Sequence, residues 1–255
     1  MKKILNLIFT ISILSFSANA EKTTAGLRNP SSVCYMNSVV QCLANTELGD
    51  YLIANKINFQ QNIFLGPLTS LIEQLKTNTT PQVSQKLITE QRNLFFGGST
   101  RIQDSSEFLN ELLYTLPANA KSIFTIETQT STKCIPSLGG CGQKFNQKTP
   151  HTMLGLGLGN DTTLRQSLND FFQGGVAEEL RCETCNKFGT KNKIENISKF
   201  PEILILHLKR YKLINDELKK DNKPISFPVD NLDLKTYSFN KDKQNAEYDL
   251  FGIIC

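Results

Sequence analysis

The chain has 255 residues, 39% of them hydrophobic, and a formal net charge of +4. That is enough apolar material for one sizeable core or two lobes. Two of the surplus charges are Lys2 and Lys3, and no basic stripe or polybasic tag follows, which excludes nucleic acid as a partner.

The first residues form an export address. Lys2 and Lys3 make a positive start, Ile4 to Phe16 an apolar stretch, and Ala18-Asn19-Ala20 a small-residue cleavage site before Glu21. This is the pattern of a secretory signal peptide over residues 1–20, too short to span a bilayer well. An uncleaved anchor is the alternative. No later segment is long and apolar enough to cross a membrane, so the expected mature chain, residues 21–255, is secreted and makes no membrane contact.

Turn formers crowd residues 26–33, and a helix is predicted over 34–45. Cys34 opens it. There the free N–H groups and the positive end of the helix dipole favour the thiolate, the nucleophilic form. Asn29, five residues upstream, offers an amide donor to an oxyanion forming beside the sulfur. A buried structural cysteine is the plain alternative.

Two further helices are predicted over 67–76 and 84–96, the second opening after Pro81. The best marked covers 104–116. Asp104 caps it, Glu107 follows, and Phe108, Leu109, Leu112, Leu113 and Leu116 line one face. After Pro117 the texture changes. Thr, Ser, Gly and short apolar runs over 122–160 suit strands and turns. A short helix is predicted over 163–172, a polar strand over 189–200, and a buried strand over 203–208. Residues 222–228 form a turn-rich link, and 248–255 another apolar run. Helices first and strands afterwards predict an α+β fold.

The seven cysteines are Cys34, Cys42, Cys134, Cys141, Cys182, Cys185 and Cys255. An odd count argues against a simple disulfide framework. Cys182 and Cys185 have the two-residue spacing of a zinc knuckle, and Cys134 and Cys141 are placed to complete a four-thiolate site. Gly139 and Gly140 would let their wider loop fold back. A redox pair, or a disulfide between Cys134 and Cys141, is the alternative. No organic cofactor is expected.

The segment Gly26-Leu27-Arg28-Asn29-Pro30-Ser31-Ser32-Val33-Cys34-Tyr35-Met36-Asn37-Ser38, with Gln41 and Leu43 beyond it, closely resembles the cysteine box of the ubiquitin-specific protease family. Gln103-Asp104-Ser105-Ser106-Glu107-Phe108-Leu109 is similar to a second family motif. Leu204-Ile205-Leu206-His207-Leu208-Lys209-Arg210-Tyr211 resembles its palm strand, and the Cys182 knuckle falls where its fingers would end. The resemblance covers residues 26–255. It implies a papain-like hand: a helical thumb over about 26–117 carrying Cys34, β-rich fingers over about 118–200 holding structural zinc, and a partial palm sheet over about 201–255. It also implies a cysteine-type deubiquitinase acting on ubiquitin or ubiquitinated proteins. The thiolate would attack the carbonyl of ubiquitin's C-terminal glycine, and the acyl-enzyme would then be hydrolysed.

The match departs from the family in two places. The family's histidine and its orienting Asp or Asn lie beyond the strand that resembles Tyr248 to Cys255, which implies truncation before the histidine box. Of the two histidines present, His207 is expected as core filler and His151 as an exposed loop imidazole. Within the box, the family's Leu-Gly-Asn-Thr is replaced by Pro30-Ser31-Ser32-Val33, removing the residue that most readily takes positive φ. Little or no turnover is therefore expected of the chain as given. The rival readings are a ubiquitin-binding pseudoprotease and an unrelated disulfide-stapled secreted domain.

Overall fold

The structure is a computed structural model that describes residues 2–7, 25–160, 162–214, 217–240 and 246–254. Most of the expected signal peptide, its cleavage site and Cys255 lie outside the described residues. Lys2–Leu7, its positive start and first apolar residues, forms strand β1.

Seven helices follow: α1 (Cys34–Ala44), α2 (Glu47–Ala54), α3 (Lys56–Phe59), α4 (Leu65–Thr77), α5 (Gln85–Phe96), α6 (Ser105–Thr115) and α7 (Ala118–Lys121). The remaining elements are β2 (Ile126–Cys134), β3 (Lys144–His151), β4 (Leu154–Gly157), α8 (Leu164–Phe172), β5 (Gly175–Ala177), β6 (Lys191–Lys199), β7 (Ile203–Lys209), β8 (Tyr211–Ile214), β9 (Glu217–Lys220), β10 (Leu232–Asp233) and β11 (Glu247–Ile254). The helix-first, strand-later order of an α+β chain is present. The chain divides into two compact units, residues 5–123 with 251–255 and residues 124–250 with 1–4.

In the helical unit, the apolar faces of α1, α4 and α6 supply Met36, Val39, Val40, Leu43, Leu68, Leu71, Ile72, Phe108, Leu109, Leu112 and Leu113, all at most 1% exposed. Each fully buried side chain of this kind stabilises the fold by about 1.5–3 kcal/mol. Asp104 caps α6 as expected, accepting the Ser106 N–H at 2.6 Å. Ser84 caps α5, and Gly97 ends it in the left-handed conformation at φ 57°.

Helices α2, α3 and α7 escape the sequence prediction. In α2, a Cβ on Gly49 would lie 2.6 Å from the Ala44 carbonyl oxygen. Glycine is required by the close approach of α1 and costs the helix only its usual propensity penalty.

In the strand-rich unit, β3-β2-β6-β5 form an antiparallel sheet. A second sheet runs β10-β11-β1-β7-β4, in which β7 and β4 are parallel. Ile203, Leu204, Ile205 and Leu206 of β7 are all buried, as expected of a strand covered on both faces. The capping box Thr163–Gln166 starts α8, which packs on β4 and β6. His151 corrects its expectation as a loop imidazole. It is half-buried at the end of β3, with Nε2 3.1 Å from the Thr128 hydroxyl. Lys219 and Lys220 belong to β9.

Candidate functional sites

Cys34 is the first residue of α1 and is exposed, whereas Val33, Tyr35 and Met36 around it are buried. The helix start has no side-chain cap. Local chemistry sets the approach loop. Asn29 Oδ1 accepts the Val33 N–H at 2.8 Å, closing a turn over Pro30, Ser31 and Ser32. With its carbonyl so engaged, the Asn29 amide keeps its NH₂ as a donor. Ser32 has φ +56°, so the left-handed residue of this turn is a serine. Ser31, at the glycine's position, is not among the positive-φ residues, and Ser32 beside it carries that conformation.

The loop is anchored on both sides. Arg28 N donates to Gln82 O at 2.8 Å, Gln82 N to Gly26 O at 2.9 Å, and Asn37 Nδ2 to Arg28 O at 2.9 Å. Arg92 on α5 donates from a guanidinium nitrogen to Ser31 O, and its neighbour Gln91 donates from Nε2 to the Tyr35 hydroxyl at 2.8 Å. Tyr35 also makes edge contacts with Phe96 and Phe108 at centroid distances of 5.8 and 5.9 Å. The sequence reading missed Gln91 and Arg92. Their only signal was polar residues interrupting a predicted amphipathic helix.

The second site is the four-cysteine cluster, brought together as expected. The sulfurs of Cys134, Cys141, Cys182 and Cys185 all lie within 4.8 Å of one another. The Cys134–Cys185 and Cys141–Cys182 pairs are 3.8 and 3.7 Å apart. A tetrahedral ion with metal–sulfur bonds of about 2.3 Å sets its sulfurs about 3.8 Å apart, so the donor set and its size fit zinc.

Each ligand is held by its backbone. Cys134 ends β2, with Ile135 N bonded to Thr190 O at 2.7 Å. A Cβ on Gly140 would lie 2.5 Å from Cys134 Sγ, so only glycine lets Cys141 return to the cluster. On the other side, Cys182 N donates to Lys187 O at 2.8 Å and Asn186 takes φ +59°.

The thiols are polarised. The Thr190 hydroxyl, 3.3 Å from Cys134 Sγ, holds that thiol below its ordinary range. The Cys185 and Thr184 N–H groups bring Cys182 down to about 6 against the effect of burial. The Gln143 N–H favours the Cys141 thiolate, but desolvation and the neighbouring sulfurs outweigh it and push that thiol up to about 11. Thiols this close cannot all ionise freely without a cation.

The two histidines of the sequence stand in β3 and β7. Among the described residues, no helix is long and apolar enough to cross a membrane.

Comparison with known proteins bears on both sites. The sequence profile described as "Ubiquitin carboxyl-terminal hydrolase" matches residues 25–255. Ubiquitin carboxyl-terminal hydrolase 25 of Arabidopsis thaliana is 28% identical, over 90% of this chain and 39% of its own length. Ubiquitin carboxyl-terminal hydrolase 2 of Homo sapiens is 26% identical, over 90% of this chain and 46% of its own. The chain thus spans less than half the length of these curated relatives. The SAGA Ubp8/Sgf11/Sus1/Sgf73 DUB module bound to ubiquitin aldehyde shares the fold, with a TM-score of 0.69 over 90% of this chain and 57% of that chain, at 22% identity. The profile match extends over nearly all of the chain and includes Asn29, Cys34 and the four clustered cysteines: the chain belongs to the ubiquitin carboxyl-terminal hydrolase family.

Proposed function

We propose that this chain is the core of a cysteine-type deubiquitinase built as a thumb, fingers and palm. Cys34 attacks the carbonyl of ubiquitin's C-terminal glycine, and the Asn29 amide donates to the oxyanion. Collapse of that intermediate expels the amine, and water then releases the acyl group. The observation that carries the reading is an exposed thiol at the start of α1, five residues after an asparagine whose NH₂ remains a donor, within a family match over residues 25–255. Zinc held by Cys134, Cys141, Cys182 and Cys185 would have a structural role, tying the end of β2 to the turn before β6. Neither His151, half-buried at the end of β3, nor His207 in β7 is assigned the role of general base. Export through the segment 1–20, to reach conjugates in another cell, completes the proposal.

The test is covalent trapping by ubiquitin carrying a C-terminal electrophile. A ubiquitin adduct that disappears in Cys34→Ala supports the reading, and folded protein that never forms an adduct refutes it. The second reading is a ubiquitin binder without turnover. It predicts micromolar or tighter ubiquitin binding by calorimetry, unchanged in Cys34→Ala, with no hydrolysis of a ubiquitin C-terminal amide even by the full-length gene product. Metal analysis of the purified protein tests the zinc, and the N-terminal residue of protein recovered from the medium tests the export.

A further inference from the structure

Two consecutive residues of α5 grip the chain on either side of Cys34. Gln91, fully buried, holds the Tyr35 hydroxyl one residue after the nucleophile. Arg92 holds the Ser31 carbonyl three residues before it. The segment leading into α5 adds main-chain bonds, since Gln82 pairs with Gly26 and Arg28. One helix and its approach therefore form a cradle for the whole stretch from residue 26 to residue 35.

Arg92 is placed unusually for a structural arginine. Its Nε is buried without an acceptor, and among the described residues it has no ion pair. Arg92 is half-buried, and with no acceptor at Nε its bond to the Ser31 carbonyl is the polar contact that orients the guanidinium. The carbonyl belongs to the Ser31–Ser32 peptide, whose second residue is in the left-handed conformation. A planar trans peptide fixes its N–H opposite its C=O, so fixing the Ser31 carbonyl also fixes the direction of the Ser32 N–H.

We propose that Arg92 is a positioning residue for the nucleophile loop, fixing the Ser31–Ser32 peptide so that Asn29 and Cys34 keep their relative placement, with Gln91 as the fixed point on the other side. Pro30-Ser31-Ser32-Val33 lacks a glycine, and the guanidinium holds the turn that results. The inference rests on the reading of Cys34 as nucleophile.

The test needs no ubiquitin. The wild-type chain, Arg92→Met and Arg92→Lys are alkylated with iodoacetamide, and Cys34 and Cys42 on the same helix are followed separately by peptide mass spectrometry. The Cys34 rate, taken relative to Cys42, is expected to fall about tenfold in Arg92→Met at an unchanged melting temperature, and to recover in Arg92→Lys. A ratio unchanged in Arg92→Met, parallel changes at both cysteines, or Arg92→Lys no better than Arg92→Met would each overturn the proposal. If Arg92→Met does not fold, Arg92→Ala, likewise without a donor, is read against the same criteria. Loss of ubiquitin binding would strike the proposed function and leave this result standing.

Discussion

The Asn29 side-chain carbonyl accepts the Val33 N–H at 2.8 Å, four residues along the chain, and so commits one end of the amide to the turn and leaves the other as a donor. The two roles can be separated. Asn29→Asp keeps an acceptor for Val33 and loses the NH₂, whereas Asn29→Ala loses both. Both variants are expected to label with a ubiquitin C-terminal electrophile about 10²–10³-fold more slowly. Only Asn29→Ala should also lower stability, by about 1 kcal/mol in thermal unfolding. Equal stability of the two variants would show that the turn bond contributes nothing.

Ser32 holds φ +56° without being glycine. A β-branched residue is poorly accommodated there, so Ser32→Val is expected to destabilise by about 1–2 kcal/mol. In Ser32→Gly, relief of that strain is offset by the greater freedom of the unfolded chain, and the melting temperature should stay level or rise slightly. Denaturant titration of the three proteins checks both signs.

The four-cysteine cluster predicts one tightly held zinc per chain. Cys182→Ser removes a ligand, and Gly140→Ala places a methyl carbon 2.5 Å from Cys134 Sγ. Both variants are expected to purify with less than one zinc and to lose protection from amide exchange in β2 and β6. Because binding displaces thiol protons, zinc affinity should weaken as pH falls. An affinity flat between pH 8 and pH 5 would contradict thiolate ligation.

Glu127 in β2 accepts a hydrogen bond from the Ser198 hydroxyl at 2.6 Å and pairs with Lys148 at 2.9 Å. The Ser198 bond first, then Lys148, hold its carboxyl below the ordinary value of 4.5. A depressed carboxyl adds stability that is present above the unfolded value and lost as pH falls through the folded one. Ser198→Ala is expected to raise the Glu127 titration midpoint, followed by NMR, and to flatten the loss of stability below pH 4.5.

The parts legible in the sequence were those written in local periodicity and capping. The apolar face of α6 behind Asp104, the buried apolar run of β7, and the two-residue spacing of Cys182 and Cys185 all announce themselves. What stayed hidden depends on residues distant in the chain. The glycine in α2 is explained by the Ala44 carbonyl. Cys134 and Cys141, with six residues between them, were legible as ligands, but the need for glycine at 140, where a Cβ would meet the Cys134 sulfur, was not. Arg92 lies 61 positions from the carbonyl it holds. The positive φ falls on Ser32, inside a turn closed by the Asn29 side chain, and backbone preference alone does not foresee that.

The partners in the cysteine cluster are 41 and 51 residues apart in the chain, with β3, β4, α8 and β5 lying between the two halves. Bringing the ends of such a loop together costs about 3 kcal/mol in chain entropy. Ion capture is therefore expected late in folding. A nascent chain that has not yet emerged as far as Cys182 can present only half the ligands. Zinc supplied early should not hasten β2–β3 pairing, whereas zinc withheld should leave that hairpin formed and the β2–β6 pairing prone to reopen.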